Sequence, residues 1–373
     1  MDIIQVLREA VRRGASDVHV TVARPVTFRL HGRLVAIDEN LLTPKDTEEF
    51  MKSITSEDHR AQIERIGGVD FGFNLERGVR FRSSVFKQRG SYGIVLRLLP
   101  TEFFTFEKIG LPAHIIELLS RPRGLILVTG PTGSGKTTTL ATMINYINEN
   151  HDVHVITIED PIEYNHDHKK SIVNQREVGS DVPSFSEALV KALRQDPDVI
   201  LIGEMRDLAT MESAITAAET GHLVFATLHT TGAARTVDRI IDVFPAHQQP
   251  QVRTQLASTL IAVISQTLIP RVDVTGRVAA FEIMISTPAI ANLIREGKTH
   301  QIVSELQTGA KYGSKSMDKH LLELYSRGII SYDEALAKSY DPGLFAHEAS
   351  RIGVAPKGTV PKDPIKKSRV FVK

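Results

Sequence analysis

Hydrophobic positions in the first hundred residues follow helical and strand-like spacings in turn. The apolar residues of segment 3–11 recur at intervals that place them on one face of a helix. Alternating strand patterns and two more helical patterns follow, with glycine-containing turns between some of them. The predicted strands are 18–20, 26–30, 34–37, 71–75, 79–87 and 92–99, and the predicted helices are 47–54 and 57–66. We therefore predict a small α+β domain over 1–99.

The pattern changes after a proline-marked connector at 100–112. Four uninterrupted apolar runs are separated by helical patterns, which is typical of a parallel sheet covered on both faces. The runs are 125–128, 155–158, 199–202 and 223–226, a further strand is predicted at 278–285, and the helices are 136–148, 185–193 and 208–220. We expect an α/β core over 113–287.

Shorter helical patterns at 289–295, 317–326 and 332–337 predict a helical C-terminal region over 288–350. From 351 to 373 the apolar periodicity fades, and seven Lys or Arg stand against one Asp. We interpret 351–373 as a flexible basic tail. Contact of this tail with anionic lipid is the alternative to a solvated end.

Composition narrows the chemistry mainly by what is missing. The 373 residues are 42% hydrophobic and 24% charged, as in ordinary globular proteins, and the formal net charge is +1. The absence of cysteine excludes disulfides, thiolate zinc sites, iron–sulfur clusters and cysteine nucleophiles. No apolar run reaches the length of a membrane span. The balanced charge, with no basic face interleaved with aromatic residues, argues against a nucleic-acid-binding protein.

A phosphate-binding loop lies between the first predicted core strand and the next helix. Residues 130–137 read GPTGSGKT and match the pattern GxxxxGK[ST] in full. Glycines let backbone N–H groups curl around phosphate oxygens, and the helix N-terminus adds partial positive charge. Lys136 would contact the β- and γ-phosphates, and the Thr137 hydroxyl would ligate Mg²⁺. The predicted nucleotide-binding residues are Gly130, Pro131, Thr132, Gly133, Ser134, Gly135, Lys136, Thr137 and Thr138.

Acidic residues stand where two of the predicted core strands end. Glu204 follows one apolar run, which is the arrangement of a Walker B acid that holds Mg²⁺ partly through water. Glu159, Asp160 and Glu163 follow another run, where a proline ends the strand. Ligands sit at the carboxyl ends of strands in open parallel sheets, so both groups are candidate site residues. The residues alone leave open which acid activates the attacking water.

Two histidines flank the predicted strand 223–226. We expect both His222 and His229 at the ligand-bearing edge, where an imidazole can hydrogen-bond the γ-phosphate. The alternative for each is a helix cap or a core-edge position. A metal site is disfavoured because no further soft ligand is close in the sequence.

Arginines of the N-terminal domain are candidates for neutralising charge on the γ-phosphate. Arg80 and Arg82 share one face of a predicted strand, and Arg97 lies on the strand that pairs with it. A planar cation aimed at the γ-phosphate is an arginine finger. The alternative for these three arginines is a solvated sheet face with surface ion pairs. Arg176 and Arg206 compete for the arginine-finger role.

Together these motifs resemble those of the secretion-type ATPases, and most closely the PilT family of type IV pilus retraction motors. The resemblance extends from about residue 2 to about residue 345. Besides the Walker A loop, it rests on IEDPIEY at 158–164, DVILIGEMRD at 198–207 and the histidine box AETGHLVFATLH at 218–229. The opening GASDVH at 14–19 and the tract TVDRIIDVFP at 236–245 are also characteristic.

The resemblance implies a PAS-like N-terminal domain joined to a RecA-like P-loop ATPase core, assembled as a ring of six. It implies ATP and Mg²⁺ at domain and subunit junctions, with Glu163 as the catalytic base and Glu204 as the Walker B acid. Its implied catalytic groups are Glu163, Glu204, Lys136, Arg82, Arg97 and His229, with His222 among the nucleotide contacts. The implied work is pilus retraction in twitching motility, on an inner-membrane platform protein at the inner face of the cytoplasmic membrane. A paralogous motor ATPase is a further implied partner.

One motif departs from the family pattern. The retraction motif AIRNLIRE of the family reads AIANLIRE at 289–296, so Ala291 stands where arginine is usual. If that arginine is needed for retraction, this chain is a weaker or accessory motor. The alternative is tolerated variation on a helix face.

Other functions fit the sequence less well. The pilus-extension and type II secretion ATPases of the same superfamily carry an extra N-terminal domain and usually a four-cysteine insertion. Here the Walker A loop begins at residue 130 and cysteine is absent. A RecA-like nucleic-acid motor is disfavoured by the charge balance, and a non-catalytic scaffold by the presence of Lys136, Thr137, Glu163 and Glu204.

Overall fold

Two β-sheets organise the part of the chain that the structure describes, an antiparallel one near the N-terminus and a mixed one in the middle. The computed structural model describes residues 2–30, 32–76, 78–100 and 102–352. Of the predicted basic tail 351–373, only the first two residues are described, and the rest of that prediction lies outside the described residues.

The N-terminal sheet is antiparallel and carries three helices. Its strands are β1 (Asp17–Val20), β2 (Thr27–Leu30), β3 (Arg33–Ala36), β4 (Gly68–Glu76), β5 (Val79–Gln88) and β6 (Ser91–Leu98). The helices are α1 (Ile3–Arg12), α2 (Pro44–Ile54) and α3 (Glu57–Ile66). The strands lie in the order β3-β2-β1-β6-β5-β4. The predicted α+β character and the predicted strands of this segment are confirmed.

Local sequence signals explain where these helices begin. Thr43 with Asp46, and Ser56 with His59, form capping boxes that satisfy free N–H groups at the starts of α2 and α3. The apolar helix faces then cover the sheet, and Phe81 of β5 is fully buried beneath them.

A short connector leads from this sheet to the central one. It contains α4 (Phe106–Ile109) and a 3₁₀ helix at Ala113–Ser120. Phe106 and Ile115 are buried against the central core, so the connector packs on the sheet that follows it.

The central sheet has helices on both faces. Its strands are β7 (Gly124–Thr129), β8 (His154–Glu159), β9 (Ile172–Glu177), β10 (Val199–Ile202), β11 (Leu223–Leu228), β12 (Leu260–Pro270) and β13 (Arg277–Ile285). The helices between them are α5 (Lys136–Asn150), α6 (Phe185–Ala192), α7 (Leu208–Thr220), α8 (Ala233–Val243) and α9 (Gln249–Thr259). The strand order is β13-β12-β7-β11-β10-β8-β9. All neighbours are parallel except β12 and β13.

Alternate residues of the inner strands enter two separate hydrophobic clusters. Leu125 and Leu127 of β7 pack on one face with α6 to α9, whereas Ile126 and Val128 pack on the other with α5 and the connector. This two-faced burial confirms the α/β expectation for strands that read as continuous apolar runs. The strands β9 and β12 and the helices α8 and α9 were not predicted.

The C-terminal region is helical and packs on β13. It comprises α10 (Pro288–Arg295), α11 (Ile302–Thr308), α12 (Met317–Ser326), α13 (Tyr332–Lys338) and α14 (Pro342–Arg351). His320 of α12 accepts a hydrogen bond at Nδ1 from the N–H of Phe281 at 2.9 Å, which fixes α12 to β13. Burial lowers the pKa of His320 to about 4, so its ring is a neutral acceptor at pH 7.

Among the described residues, no helix combines the length and the hydropathy needed to cross a membrane.

Candidate nucleotide site

The loop after β7 needs glycine at its first position. Gly130 has a φ of 140°, and a Cβ atom there would lie 2.2 Å from the carbonyl oxygen of Gln266. Gly133 and Gly135 also adopt positive φ values, of 77° and 90°. These conformations turn the loop tightly before α5 begins at Lys136 and leave the helix N-terminus open to an anion.

Gln266 of β12 holds the loop from below. This residue is 2% exposed, and its Nε2 donates to the carbonyl oxygen of Ser134 at 2.7 Å. Its Oε1 accepts from the Thr139 hydroxyl at 2.8 Å. Gln266 thus satisfies polar groups of both the loop and the first turn of α5. Sequence reasoning missed this residue because it missed β12.

Lys136 lies back over its own loop. Its Nζ donates to the carbonyl oxygens of Gly130 at 2.9 Å and Pro131 at 3.2 Å. Burial lowers the pKa of Lys136, and the nearby carboxylates of Glu204 and Glu163 oppose that effect only in part.

Glu204 lies just beyond the end of β10, next to an arginine and a histidine. Arg206 Nη2 lies 2.7 Å from one carboxylate oxygen, and His229 Nε2 lies 3.0 Å from the other. Burial raises the pKa of Glu204, but the Arg206 hydrogen bond and the charges of His229 and Arg206 outweigh it and leave the pKa below its usual range. Glu204 is therefore an ionised acid facing the phosphate loop.

Glu159, at the end of β8, is the most buried acid of the site. It accepts hydrogen bonds from the Thr157 hydroxyl at 2.7 Å and from Gln175 Nε2 at 3.0 Å. Burial raises its pKa to about 7, and the charges of Glu163 and Glu177 add to the rise. Gln175 also donates to the carbonyl oxygen of Tyr164 at 2.8 Å, so it links Glu159 to the loop that carries Glu163.

One cavity of about 550 Å³ brings most of the predicted site residues together. It opens between the N-terminal sheet and the carboxyl edge of the central sheet. Its lining includes Arg82, Arg97, Thr132, Gly133, Gly135, Lys136, Thr137, Thr138, Glu159, Asp160, Glu163, Glu204, Arg206 and His229. Gly130, Pro131 and Ser134 belong to the same loop. A cavity of this size, lined by cations and acids on two sheets, suits a nucleoside triphosphate.

A row of charges crosses four strands of the N-terminal sheet and ends at this cavity. Arg29, Asp17, Arg97 and Arg82 are successive cross-strand partners on β2, β1, β6 and β5. Asp17 is 5% exposed and accepts from Arg97 Nε at 2.8 Å. Adjacent arginines repel each other, and the carboxylate of Asp17 offsets that repulsion. Within the described residues, the Arg82 side chain makes no hydrogen bond or ion pair, so its guanidinium is available to a ligand.

Two other arginines considered above do not line the cavity. Arg80 turns to the core and pairs with Glu177. Arg176 has a buried Nη1 without a hydrogen-bond partner in the part of the chain that the structure describes. Arg206 lines the cavity but is engaged with Glu204.

The expected position of His222 at the ligand-bearing edge is wrong within this chain. His222 precedes β11, and its carbonyl oxygen accepts from the N–H of Gly124 at the start of β7. Because the two strands are parallel, their starts lie at the edge opposite the phosphate loop. Its Nδ1 lies 2.9 Å from the carbonyl oxygen of Ala217, so His222 caps the end of α7. His229 follows β11 and lies at the predicted edge.

In the described segments, no group of three or more His, Cys, Asp or Glu side chains is arranged so that it could hold a metal ion. A Mg²⁺ site here would rest on Thr137 and Glu204 together with ligand phosphates, as Mg²⁺ commonly does beside nucleotides.

Comparisons with known proteins agree with this geometry. Residues 1–337 match the family described as Type II/IV secretion system protein. The type IV pilus retraction ATPase PilT of Pseudomonas aeruginosa is 48% identical over 345 residues, which cover 92% of this chain and 100% of that protein. A twitching motility protein of Neisseria gonorrhoeae is 46% identical over 89% of each chain.

A solved structure shows the same fold. The crystal structure of the pilus retraction motor PilT with bound ADP has a TM-score of 0.87 and 51% identity, and the match covers 94% of this chain and 99% of the other. The chain is therefore an ATPase that belongs to the type II/IV secretion system protein family.

Proposed function

We propose that this chain is an ATP-hydrolysing motor that powers type IV pilus retraction and thereby twitching motility. The observation that carries the proposal is the single cavity that joins the phosphate loop, Glu204, His229 and the N-terminal arginines. Identity at 48% to a pilus retraction ATPase, along its whole length, supports the same work for this chain.

ATP and Mg²⁺ fit the residues present. The glycines of the phosphate loop leave no Cβ atoms in the way of a phosphate, and Lys136 adds a positive charge beside it. The Thr137 hydroxyl and the Glu204 carboxylate are hard oxygen donors, which Mg²⁺ prefers. When bound, Mg²⁺ neutralises charge on the β- and γ-phosphates.

We assign Glu163 as the base that receives a proton from the attacking water. Glu163 is half-buried at the cavity, whereas Glu159 is 9% exposed and already engaged with Thr157 and Gln175. Glu204 is kept ionised by Arg206 and His229, which suits a Walker B acid.

Arg82 and Arg97 supply charge from the second sheet. In this assignment Asp17 orients Arg97, and both guanidinium groups approach the γ-phosphate across the cavity. Rotation of the N-terminal sheet relative to the core then changes how well that charge is neutralised. His229, between Glu204 and the loop, contacts the γ-phosphate side of the same cavity.

The assembly and partners follow the family resemblance. We propose a homohexameric ring at the inner face of the cytoplasmic membrane that acts on the inner-membrane pilus platform protein, with a paralogous motor ATPase as a second partner. Nucleic acid is not a proposed partner. Ala291, half-buried on α10 and packed against the core, belongs to the surface we propose for the platform.

Two experiments test the proposal. Purified protein should hydrolyse ATP with Mg²⁺, and Lys136→Ala and Glu204→Ala should abolish this, while Lys52→Ala, at an exposed ion pair with Glu48, should not. Absence of ATP hydrolysis by the wild-type protein would overturn the proposal that the chain is an ATP-hydrolysing motor. Deletion of the gene should give excess immobile pili, whereas loss of pili would indicate pilus extension instead.

A further inference from the structure

A buried ion pair joins the N-terminal sheet to the central sheet. Arg80 of β5 contacts Glu177 at the end of β9 through Nη2 and Oε2, and the two side chains are 12% and 5% exposed. Gly72 of β4 lies beside them, and its N–H donates to Glu177 Oε1 at 3.0 Å. The pair therefore spans the boundary between the two sheets.

The same pair holds the residue before Glu163. Glu177 Oε2 accepts from the N–H of Ile162 at 3.1 Å, and Arg80 Nε donates to the carbonyl oxygen of Ile162 at 3.2 Å. Both backbone polar groups of Ile162 are thus bound by one ion pair. A single planar peptide unit separates that carbonyl from the Cα atom of Glu163.

Arg80 is unavailable as a ligand for phosphate. Its Nη1 donates to Asn74 Oδ1 at 2.9 Å, so its three guanidinium nitrogens each have a protein acceptor. Room for this arrangement depends on Gly72, because a Cβ atom there would lie 1.9 Å from Arg80 Nη2. Arg80 also does not line the cavity that holds the phosphate loop.

A buried ion pair adds little net stability compared with apolar side chains of similar volume. Stability therefore explains the presence of the Arg80–Glu177 pair poorly. Geometry is a stronger reason, because displacement of a catalytic group by about 1 Å costs on the order of 10² in rate. We propose that Arg80 and Glu177 are positioning residues, which hold the Glu163 loop in register and make that register depend on the N-terminal sheet. The inference rests on the proposed function, since it takes Glu163 as the base.

The test compares kcat with nucleotide affinity in the full-length protein. We expect Glu177→Gln and Arg80→Ala each to lower kcat about 10- to 100-fold while the Kd for ADP changes less than threefold. Arg80→Lys, which keeps the charge without the fork, should lower kcat less than Arg80→Ala. Gly72→Ala should resemble Arg80→Ala because it displaces the guanidinium.

The matched control is the exposed ion pair of Lys87 and Glu64, which also involves β5. Lys87→Ala should leave kcat within twofold of wild type. The doubly substituted Arg80→Ala/Glu177→Gln protein should lose no more than the worse single variant, because both act through Ile162.

Two results would overturn the positioning role: unchanged kcat in folded pair variants, or parallel loss of kcat and ADP affinity. If Arg80→Ala does not fold, Arg80→Lys and Glu177→Gln decide by the same comparison. An inactive wild-type protein would instead refute the proposed function, so the two failures are distinguishable.

Discussion

His229 Nε2 lies 3.0 Å from Glu204 Oε1, while its Nδ1 lies 3.5 Å from the hydroxyl oxygen of Thr132. One imidazole therefore stands between the Glu204 carboxylate and the phosphate loop. The backbone supports this position, because the N–H of Met205 donates to the carbonyl oxygen of Thr227 at 3.0 Å. A shift in the position of Glu204 or of Thr132 is thus transmitted to the other residue through His229.

Replacement of His229 tests this link. His229→Ala removes a hydrogen bond to a charged group, a loss of about 1.5–3 kcal/mol, so we expect kcat for ATP hydrolysis to fall roughly 10- to 100-fold. His222→Ala is the matched control, and its kcat should stay within twofold of wild type because His222 lies at the opposite edge of the sheet. Equal loss of kcat in both variants would contradict the placement of His222.

Gln266 should control nucleotide affinity without contacting the nucleotide. Gln266→Ala removes the bonds to Ser134 and Thr139, so the phosphate loop loses support and ADP should bind roughly tenfold more weakly, by isothermal titration calorimetry. Gln255→Ala, at a surface hydrogen bond to Glu219, is the control. Wild-type affinity in Gln266→Ala would show that the loop holds its shape unaided.

Asp17 should act through Arg97. Burial raises the pKa of Asp17. The hydrogen bonds from Arg97 and Ser16 and the charges of Arg97 and Arg29 lower this pKa by more than burial raises it, so the pKa of Asp17 lies below its usual value. The stability it contributes is therefore present above its unfolded-state pKa and is lost as pH falls through the folded one. Asp17→Asn should lower kcat and reduce the free energy of unfolding by roughly 1–2 kcal/mol at pH 7, measured by urea denaturation.

In that experiment, the difference between wild type and Asp17→Asn should shrink as the pH is lowered toward 3. Glu9→Gln, at an exposed pair with Arg12 on α1, should leave kcat unchanged. If kcat in Asp17→Asn equals that of wild type, the proposed catalytic role of Arg97 is contradicted.

Glu159 predicts the opposite dependence on pH. Burial raises its pKa from 4.5 to about 7, so the folded state favours the protonated acid. The stability that protonated Glu159 contributes to the folded state is complete below its unfolded-state pKa and is lost as the pH rises through 7. Between pH 5.5 and 8, wild type should lose on the order of 2 kcal/mol relative to Glu159→Gln in urea titrations. Parallel stability curves for the two proteins would mean that Glu159 is ionised throughout that range.

The strands with strong apolar runs and the phosphate loop were predictable from the sequence, because burial on both faces and the GxxxxGK[ST] spacing leave few alternatives. The strand β9 was missed because its residues 172–177 are partly exposed at a sheet edge and read IVNQRE. The strand β12 was missed because Leu260 follows α9 directly, with no turn residue to mark the change.

Contacts that depend on the register between strands could not be predicted from the sequence. The pairing of Asp17 with Arg97 follows from the antiparallel register of β1 and β6, which nothing in either segment specifies alone. His222 was misplaced because a residue before a strand and one after it lie at opposite edges, although the histidine box treats both as one motif. The catalytic and binding roles assigned to the site residues, Lys136, Glu204 and His229 as well as Glu163, Arg82 and Arg97, stay predictions, and so do the proposed domain boundaries.

The hydrogen bonds of Gln266 to the phosphate loop and to α5 have a mechanical consequence. Gln266 pairs with Phe281 in the register of β12 and β13, and Phe281 is hydrogen-bonded to His320 on α12. From α12 to Ser134 the connection thus runs through one side-chain bond, one strand pair and one buried amide, without a loop that could absorb strain. A force that pulls on the C-terminal helices is therefore carried by stiff structure to the place where phosphate would bind.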